Sequence, residues 1–139
     1  MSIPILREYQ PKPRTGNVVL LLNEVRHALE RLVSTGTPTT VDLSGIPMTA
    51  EENAELETSL GTGEVEATLR ASGLSDIHET AYSGVWRVTH RSDTGQVLGR
   101  YIEVTRIPEI LMAQPGDVAT GLDRLTELLI LPSDQEVSP

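Results

Sequence analysis

At 139 residues the chain is sized for one domain with a core of its own. It has no cysteine, which excludes disulfides, thiol chemistry and cysteine-ligated metals. Its formal charge of −9 argues against nucleic-acid and anionic-membrane surfaces, which require positive footprints. No run approaches the roughly 18 apolar residues of a membrane span. The start, MSIPILREYQPKPR, lacks the apolar core and cleavage site of a secretory signal, so a cytoplasmic protein is expected.

Residues 1–16 read as an irregular, mildly basic N-terminal tail. Asn17 suits an N-cap. The helix after it places Val18, Leu21, Leu22, Val25, Leu29 and Leu32 on one face, with His27 at the edge of that stripe. Gly36 and then Pro38 signal its end. Thr39 to Leu43 is a short strand candidate. Thr49-Ala50-Glu51-Glu52 has the form of a capping box and opens a short helix to Leu60, with Ala54, Leu56 and Leu60 available for burial. Gly61-Thr62-Gly63 ends it, and EVEATLRA then alternates, with Val65, Ala67, Leu69 and Ala71 inward. From Asp42 to Glu66 there are seven acids and no base. That stretch reads as a solvated face or as a docking surface for a basic partner.

Ile77 to Pro108 predicts three strands divided by Ser83-Gly84 and by Ser92-Asp93-Thr94-Gly95. A two-residue first turn pairs Ala81 with Trp86, Glu79 with Val88 and Ile77 with His90. A second turn with a bulge at Gly95 pairs His90 with Leu98, Val88 with Arg100 and Trp86 with Ile102. One face then carries Ile77, Ala81, Trp86, Val88, Leu98, Ile102 and Val104 as core, together with Glu79, His90 and Arg100. Arg87 and Glu103 fall together on the opposite, wet face.

A last helix is expected from Pro115, with Asp117 in its first turn and Val118, Leu122, Leu125 and Leu129 buried. Pro132 should stop it, leaving residues 132–139 as a disordered tail. The fold class is therefore α+β, in the order α-β-α-β-β-β-β-α, with a mainly antiparallel sheet and helices on one face. Residues 17–131 form the single domain.

Several motifs in this order carry a resemblance: Gly63-Glu64-Val65, Glu79-Thr80, Gly84-Val85-Trp86, Ile102-Glu103-Val104 and Pro108-Glu109. Together with LLNEVRHALERL they resemble the hydrogenase expression/formation family known as HupH or HyaF, from Asn17 to Leu129. The resemblance implies a chaperone-like factor in [NiFe]-hydrogenase maturation. Its implied partner is the precursor of the small, iron–sulfur subunit, or another maturation factor. That precursor would carry a twin-arginine export signal. Long members of the family have two related halves, and this chain matches the C-terminal one. A homodimer imitating both halves is therefore a further expectation.

The residues themselves offer little catalysis. His27, His78 and His90 match no metal spacing, and no nucleophile motif is present, so no enzyme activity, metal or cofactor is expected. Glu79, His90 and Arg100 could meet on the inner face as an acid/base, ligand or metal site, or as a structural ion pair. The candidate partner-binding or structural polar residues are Glu64, Glu66, Glu79, Arg87, His90, Arg100 and Glu103.

Overall fold

The computed structural model describes residues 15–137, with side chains as far as Ile130. Residues 1–14, most of the expected N-terminal tail, lie outside that range, as do residues 138–139. The chain divides into two compact units between Arg106 and Ile107.

In the first unit, α1 (Asn17–Thr35) is followed by β1 (Thr39–Asp42), α2 (Ala50–Leu60), β2 (Glu66–Arg70), β3 (Leu74–Glu79), β4 (Val85–Arg91) and β5 (Val97–Val104). The strands form one antiparallel sheet in the order β1-β5-β4-β3-β2, so β1 and β2 are its edges among the described residues. The expected element order is the observed one.

Helix α1 buries Val18, Leu21, Val25 and Ala28, with Leu22, Leu29 and Leu32 partly buried. Its N-cap is Gly16, not Asn17. Gly16 takes a left-handed φ of 82°, which glycine adopts without strain. The Asn17 side chain instead donates to the Pro47 carbonyl at 2.8 Å, tying the helix start to the loop before α2. His27 is exposed. In α2 the buried residues are Glu52, Leu56 and Leu60, whereas Ala54 is exposed.

The capping box is present. Thr49 Oγ1 accepts from the Glu52 amide, and Glu52 Oε1 accepts from the Thr49 amide, both at 3.1 Å. Glu52 Oε2 also takes the Thr15 amide at 3.0 Å and its hydroxyl at 2.9 Å. The Thr49 amide first, with the Thr15 donors assisting, holds the Glu52 carboxyl below its ordinary range, against the opposing effect of burial. A depressed native pKa adds stability above the unfolded-state pKa, and that stability is lost as pH falls through the native value. The melting-temperature gap between the native chain and Glu52→Gln is expected to shrink steadily below about pH 4.5, the ordinary glutamate value. Thermal melts followed by circular dichroism across pH 3–7 would check it, and a constant gap would refute the linkage.

Both hairpins of the meander differ from expectation, with different consequences. The first turn is a four-residue loop. The Thr80 amide donates to the Val85 carbonyl, and the Val85 amide to the Tyr82 carbonyl, both at 3.0 Å. Thr80 Oγ1 accepts from the Tyr82 amide and donates to the Val85 carbonyl, which fixes this longer loop. Ile77 therefore pairs with Val88 and Glu79 with Trp86, a slip of two that leaves each side chain on its expected face. Ala81 lies in the loop and is exposed.

At the second turn Arg91 pairs with Val97, as the expected register requires. A bulge then inserts Leu98, and beyond it His90 pairs with Gly99, Val88 with Tyr101 and Trp86 with Glu103. This slip of one inverts β5. Ile102 and Val104 join Val85 and Val41 under α1 and α2, against Leu21, Val25, Leu56 and Leu60. Ile77, Trp86 and Val88 are buried on the other face. The helices thus cover the face expected to be wet, and Leu98 is exposed.

The second unit contains a 3₁₀ turn (Glu109–Leu111) and α3 (Pro115–Val137). Pro115 is its first residue, as expected. The helix runs on through Pro132 instead of stopping there, since proline's fixed φ lies in the helical range. The stripe expected to be buried is exposed at Val118, Leu122, Leu125 and Leu129. Periodicity identifies an amphipathic helix without identifying what covers it.

Candidate functional site

The polar residues singled out in the sequence separate into three groups. Glu79 belongs to the turn between α2 and β2. Its Oε1 accepts the Glu64 amide at 3.0 Å and the Val65 amide at 3.3 Å. Backbone bonds flank this clasp: the Gly63 amide donates to the Glu79 carbonyl, the Glu79 amide to Val65 and the Ala81 amide to Leu60. Gly63 makes the approach feasible, since a Cβ there would sit 2.4 Å from the Thr80 carbonyl oxygen. Glu64 and Glu66 project from the clasped turn at the start of edge strand β2, both exposed. Glu66 Oε1 lies 3.2 Å from His78 Nδ1.

The second group lies on the helix side of the sheet. Arg100 Nη1 donates to Asn53 Oδ1 at 3.1 Å, and Arg87 Nη1 lies 3.5 Å from Glu57 Oε1. Both arginines therefore brace α2 on the sheet. Arg87 Nε is buried and has no partner among the described residues. The third group lies on the opposite face. His90 Nδ1 is 2.7 Å from Ser75 Oγ, and its ring sits 5.5 Å from that of Tyr101. Glu103 occupies the same face, opposite Trp86.

The expected meeting of Glu79, His90 and Arg100 does not occur. The Leu98 bulge moves Arg100 through the sheet, and Glu79 and His90 serve different ends of it. The same bulge separates Arg87 from Glu103. Among the described residues, no three histidine or acidic side chains gather as a metal cage. Among the described residues, Arg100 lines a cavity of about 130 Å³ with Leu43, Ser44 and residues 97–99. Another, of about 350 Å³, is an apolar groove between Leu22, Val25, Arg26 and Leu29 of α1 and Ser59, Leu60 and Tyr82.

Sequence reasoning missed two participants. Thr105 links the sheet end: its carbonyl accepts from Trp86 Nε1 at 3.0 Å and its amide donates to Gly84 at 2.8 Å. No signal marked it. Gly99 did carry a signal, since a glycine inside a strand marks a bulge or a close approach. Here the Tyr101 ring leans over it, 2.9 Å from where a Cβ would be.

Architecture and surface define a two-layer α+β domain whose clasped edge turn presents the exposed carboxylates Glu64 and Glu66. The chain belongs to the HupH hydrogenase expression protein family, and residues 15–131 match its C-terminal conserved region. It is 34% identical over 95 residues to the hydrogenase expression/formation protein HupQ of Azotobacter chroococcum mcd 1, covering 68% of this chain and 34% of that protein. The hydrogenase-1 operon protein HyaF of Escherichia coli K12 is 36% identical over 91 residues, covering 63% of this chain and 31% of HyaF. The chain thus spans about a third of the length of these curated relatives. The solved structure of the hydrogenase expression protein HupH from Thiobacillus denitrificans ATCC 25259 superposes with a TM-score of 0.81 at 38% identity, covering 85% of this chain and 98% of that one.

Proposed function

We propose that this protein is a non-enzymatic accessory factor of [NiFe]-hydrogenase maturation that holds the small-subunit precursor in the cytoplasm before export. Relatives named as hydrogenase expression/formation proteins support the pathway. No helix among the described residues is long and apolar enough to cross a membrane.

The observation that carries the holding role is the clasped turn at edge strand β2. An edge strand offers unpaired backbone groups to which an extended segment can add. The Glu79 clasp keeps this edge ordered before a partner arrives, which lowers the entropic cost of binding. Glu64 and Glu66 beside it draw a basic segment, and the twin-arginine signal of a precursor has that character. Dispersal of Glu79, His90 and Arg100 leaves the competing reading, a ligand site built on them, without a geometry.

Capture of the precursor, with and without its signal peptide, tests the proposal. Glu64→Lys with Glu66→Lys is expected to weaken capture about tenfold at low salt, with the difference fading as salt rises. Equal capture of both precursor forms would remove the signal-peptide role. Capture of neither would remove the partner.

A further inference from the structure

The open edge of β2 has a definite hydrogen-bond phase. Just before the strand the Glu79 amide donates to the Val65 carbonyl, and just after it the Ala71 amide donates to the Gly73 carbonyl. Both bonds continue the β2–β3 register, in which Ala67 faces Ile77 and Leu69 faces Ser75. Bonded and non-bonded pairs alternate along an antiparallel ladder. Residues 65, 67, 69 and 71 therefore turn their backbone groups toward β3. Glu66, Thr68 and Arg70 turn theirs toward the open edge. The clasp engages the Glu64 amide, so the available ladder begins at Glu66.

This ladder is its own complement. When it is laid antiparallel on a second copy, centred on Thr68, Glu66 stands opposite Arg70 of that copy and Thr68 opposite Thr68. These facing pairs are the ones whose amides and carbonyls are free, so every pair closes both of its bonds. Glu66, Thr68 and Arg70 are exposed on one face, and opposite charges meet at both ends. On the other face Ala67 meets Leu69 of the second copy, and Val65, 43% exposed, meets Ala71.

We infer that a second copy of this chain adds to β2, joining two sheets about a twofold axis at Thr68. The contact lies wholly within the first unit. It shares its edge with the proposed function but does not rest on that reading, and a precursor segment would have to displace the second copy.

Backbone chemistry and charge select this occupant. A helix spends its amides and carbonyls on itself, so only an extended segment completes a strand edge. The edge strand β1 lacks the symmetry. The Leu43 amide donates to the Arg100 carbonyl, which by the same alternation turns Thr40 and Asp42 outward. No cation would meet Asp42, whose carboxylate already accepts from the Ser44 amide and hydroxyl. On β2, Glu66 has His78 at 3.2 Å behind it and gains Arg70 of the second copy in front. A ladder of five residues per copy is smaller than the ≈ 800 Å² per partner of a standard interface, so the association is weak and displaceable.

Sedimentation velocity of the full chain at physiological salt is expected to rise from 15.1 kDa toward twice that mass as concentration approaches millimolar. Glu66→Arg alone, or Arg70→Glu alone, puts like charges at both ends of the ladder. Each should weaken association at least about tenfold with an unchanged circular dichroism spectrum. An equimolar mixture of the two variants restores opposite charges and should recover the dimer. Amide exchange at Glu66, Thr68 and Arg70 should be fast in dilute solution and slow in concentrated solution. Ala67 and Leu69 should be protected in both. No precursor enters these measurements, so they and the capture assay can fail separately. A mass that stays at one chain, a single variant that dimerises as the native chain does, or a mixture that fails to recover would overturn the inference. So would protection of Glu66, Thr68 and Arg70 in dilute solution, which would mean that the chain covers this edge itself.

Discussion

Trp86→Ala is expected to lower the free energy of unfolding by about 3–5 kcal/mol, the usual cost of deleting a buried large aromatic. Trp86 is 5% exposed, and its indole donates to the Thr105 carbonyl at 3.0 Å. Truncation opens a cavity beside Ile77 and Val88 and leaves that carbonyl without its donor. It also loosens Thr105, whose amide holds Gly84 and therefore the turn into β4. Since domains of this size are stable by about 5–15 kcal/mol, roughly a fifth or more of the margin would go. Trp86→Phe keeps most of the apolar volume and should cost only about 1–3 kcal/mol, chiefly for the orphaned carbonyl. Urea unfolding followed by far-ultraviolet circular dichroism separates the two. Fluorescence cannot serve, because Trp86 is the only tryptophan of the chain. Equal losses for both variants would show that the hydrogen bond, and not the ring, supports this corner.

Gly63→Ala is the second large effect. The new methyl would lie 2.4 Å from the Thr80 carbonyl oxygen and 2.7 Å from Glu79 Oε1. The carboxylate could rotate away only by releasing the Glu64 and Val65 amides, and the carbonyl belongs to backbone that cannot rotate. The turn must therefore move off β3, losing the Gly63 to Glu79 and Glu79 to Val65 bonds. Overpacking of this kind costs about 1–3 kcal/mol, and each lost bond adds about 1 kcal/mol. Hydrogen exchange should show lost protection at the amides of residues 63–65 and 79, with the β4–β5 hairpin unchanged. Precursor capture should fall in parallel, because the presented edge is no longer ordered. Thr62→Ala, at an exposed neighbouring position, is the control and should be nearly silent. Unchanged protection in Gly63→Ala would mean that the turn relaxes without leaving β3.

Much of this architecture was legible because it rests on local signals. The alternation expected through β2 holds only in part, with Ala67 and Leu69 half-buried but Val65 and Ala71 exposed, whereas the leucine spacing of α1 and the Thr49–Glu52 capping box each follow from a handful of adjacent residues. Faces across a sheet do not. They depend on counting residues through turns, and one uncounted residue, Leu98, carried Arg100 and Glu103 to sides opposite those expected. Gly99 was the available warning. At the first hairpin the misjudged loop cost nothing, because a slip of two preserves the faces. The candidate site was legible in composition only. The acids around Glu64 stood out, but the carboxylate that organises them, Glu79, is fifteen residues away and could be assigned only once β3 was placed beside the turn.

The bulge in β5 also sets which kinds of sequence change this domain tolerates. Around Asp93 and Thr94 the exposed hairpin tip can accept residues of many types, and even extra ones, without disturbing what lies beneath. Between Gly99 and Ile102 the reverse holds, because there the number of residues sets the face that each side chain takes. Removing Leu98 would only straighten the ladder, leaving Arg91 opposite Val97 and His90 opposite Gly99, whereas an extra or missing residue between Gly99 and Ile102 would turn Tyr101 and Glu103 toward the helices and expel Ile102 from the core.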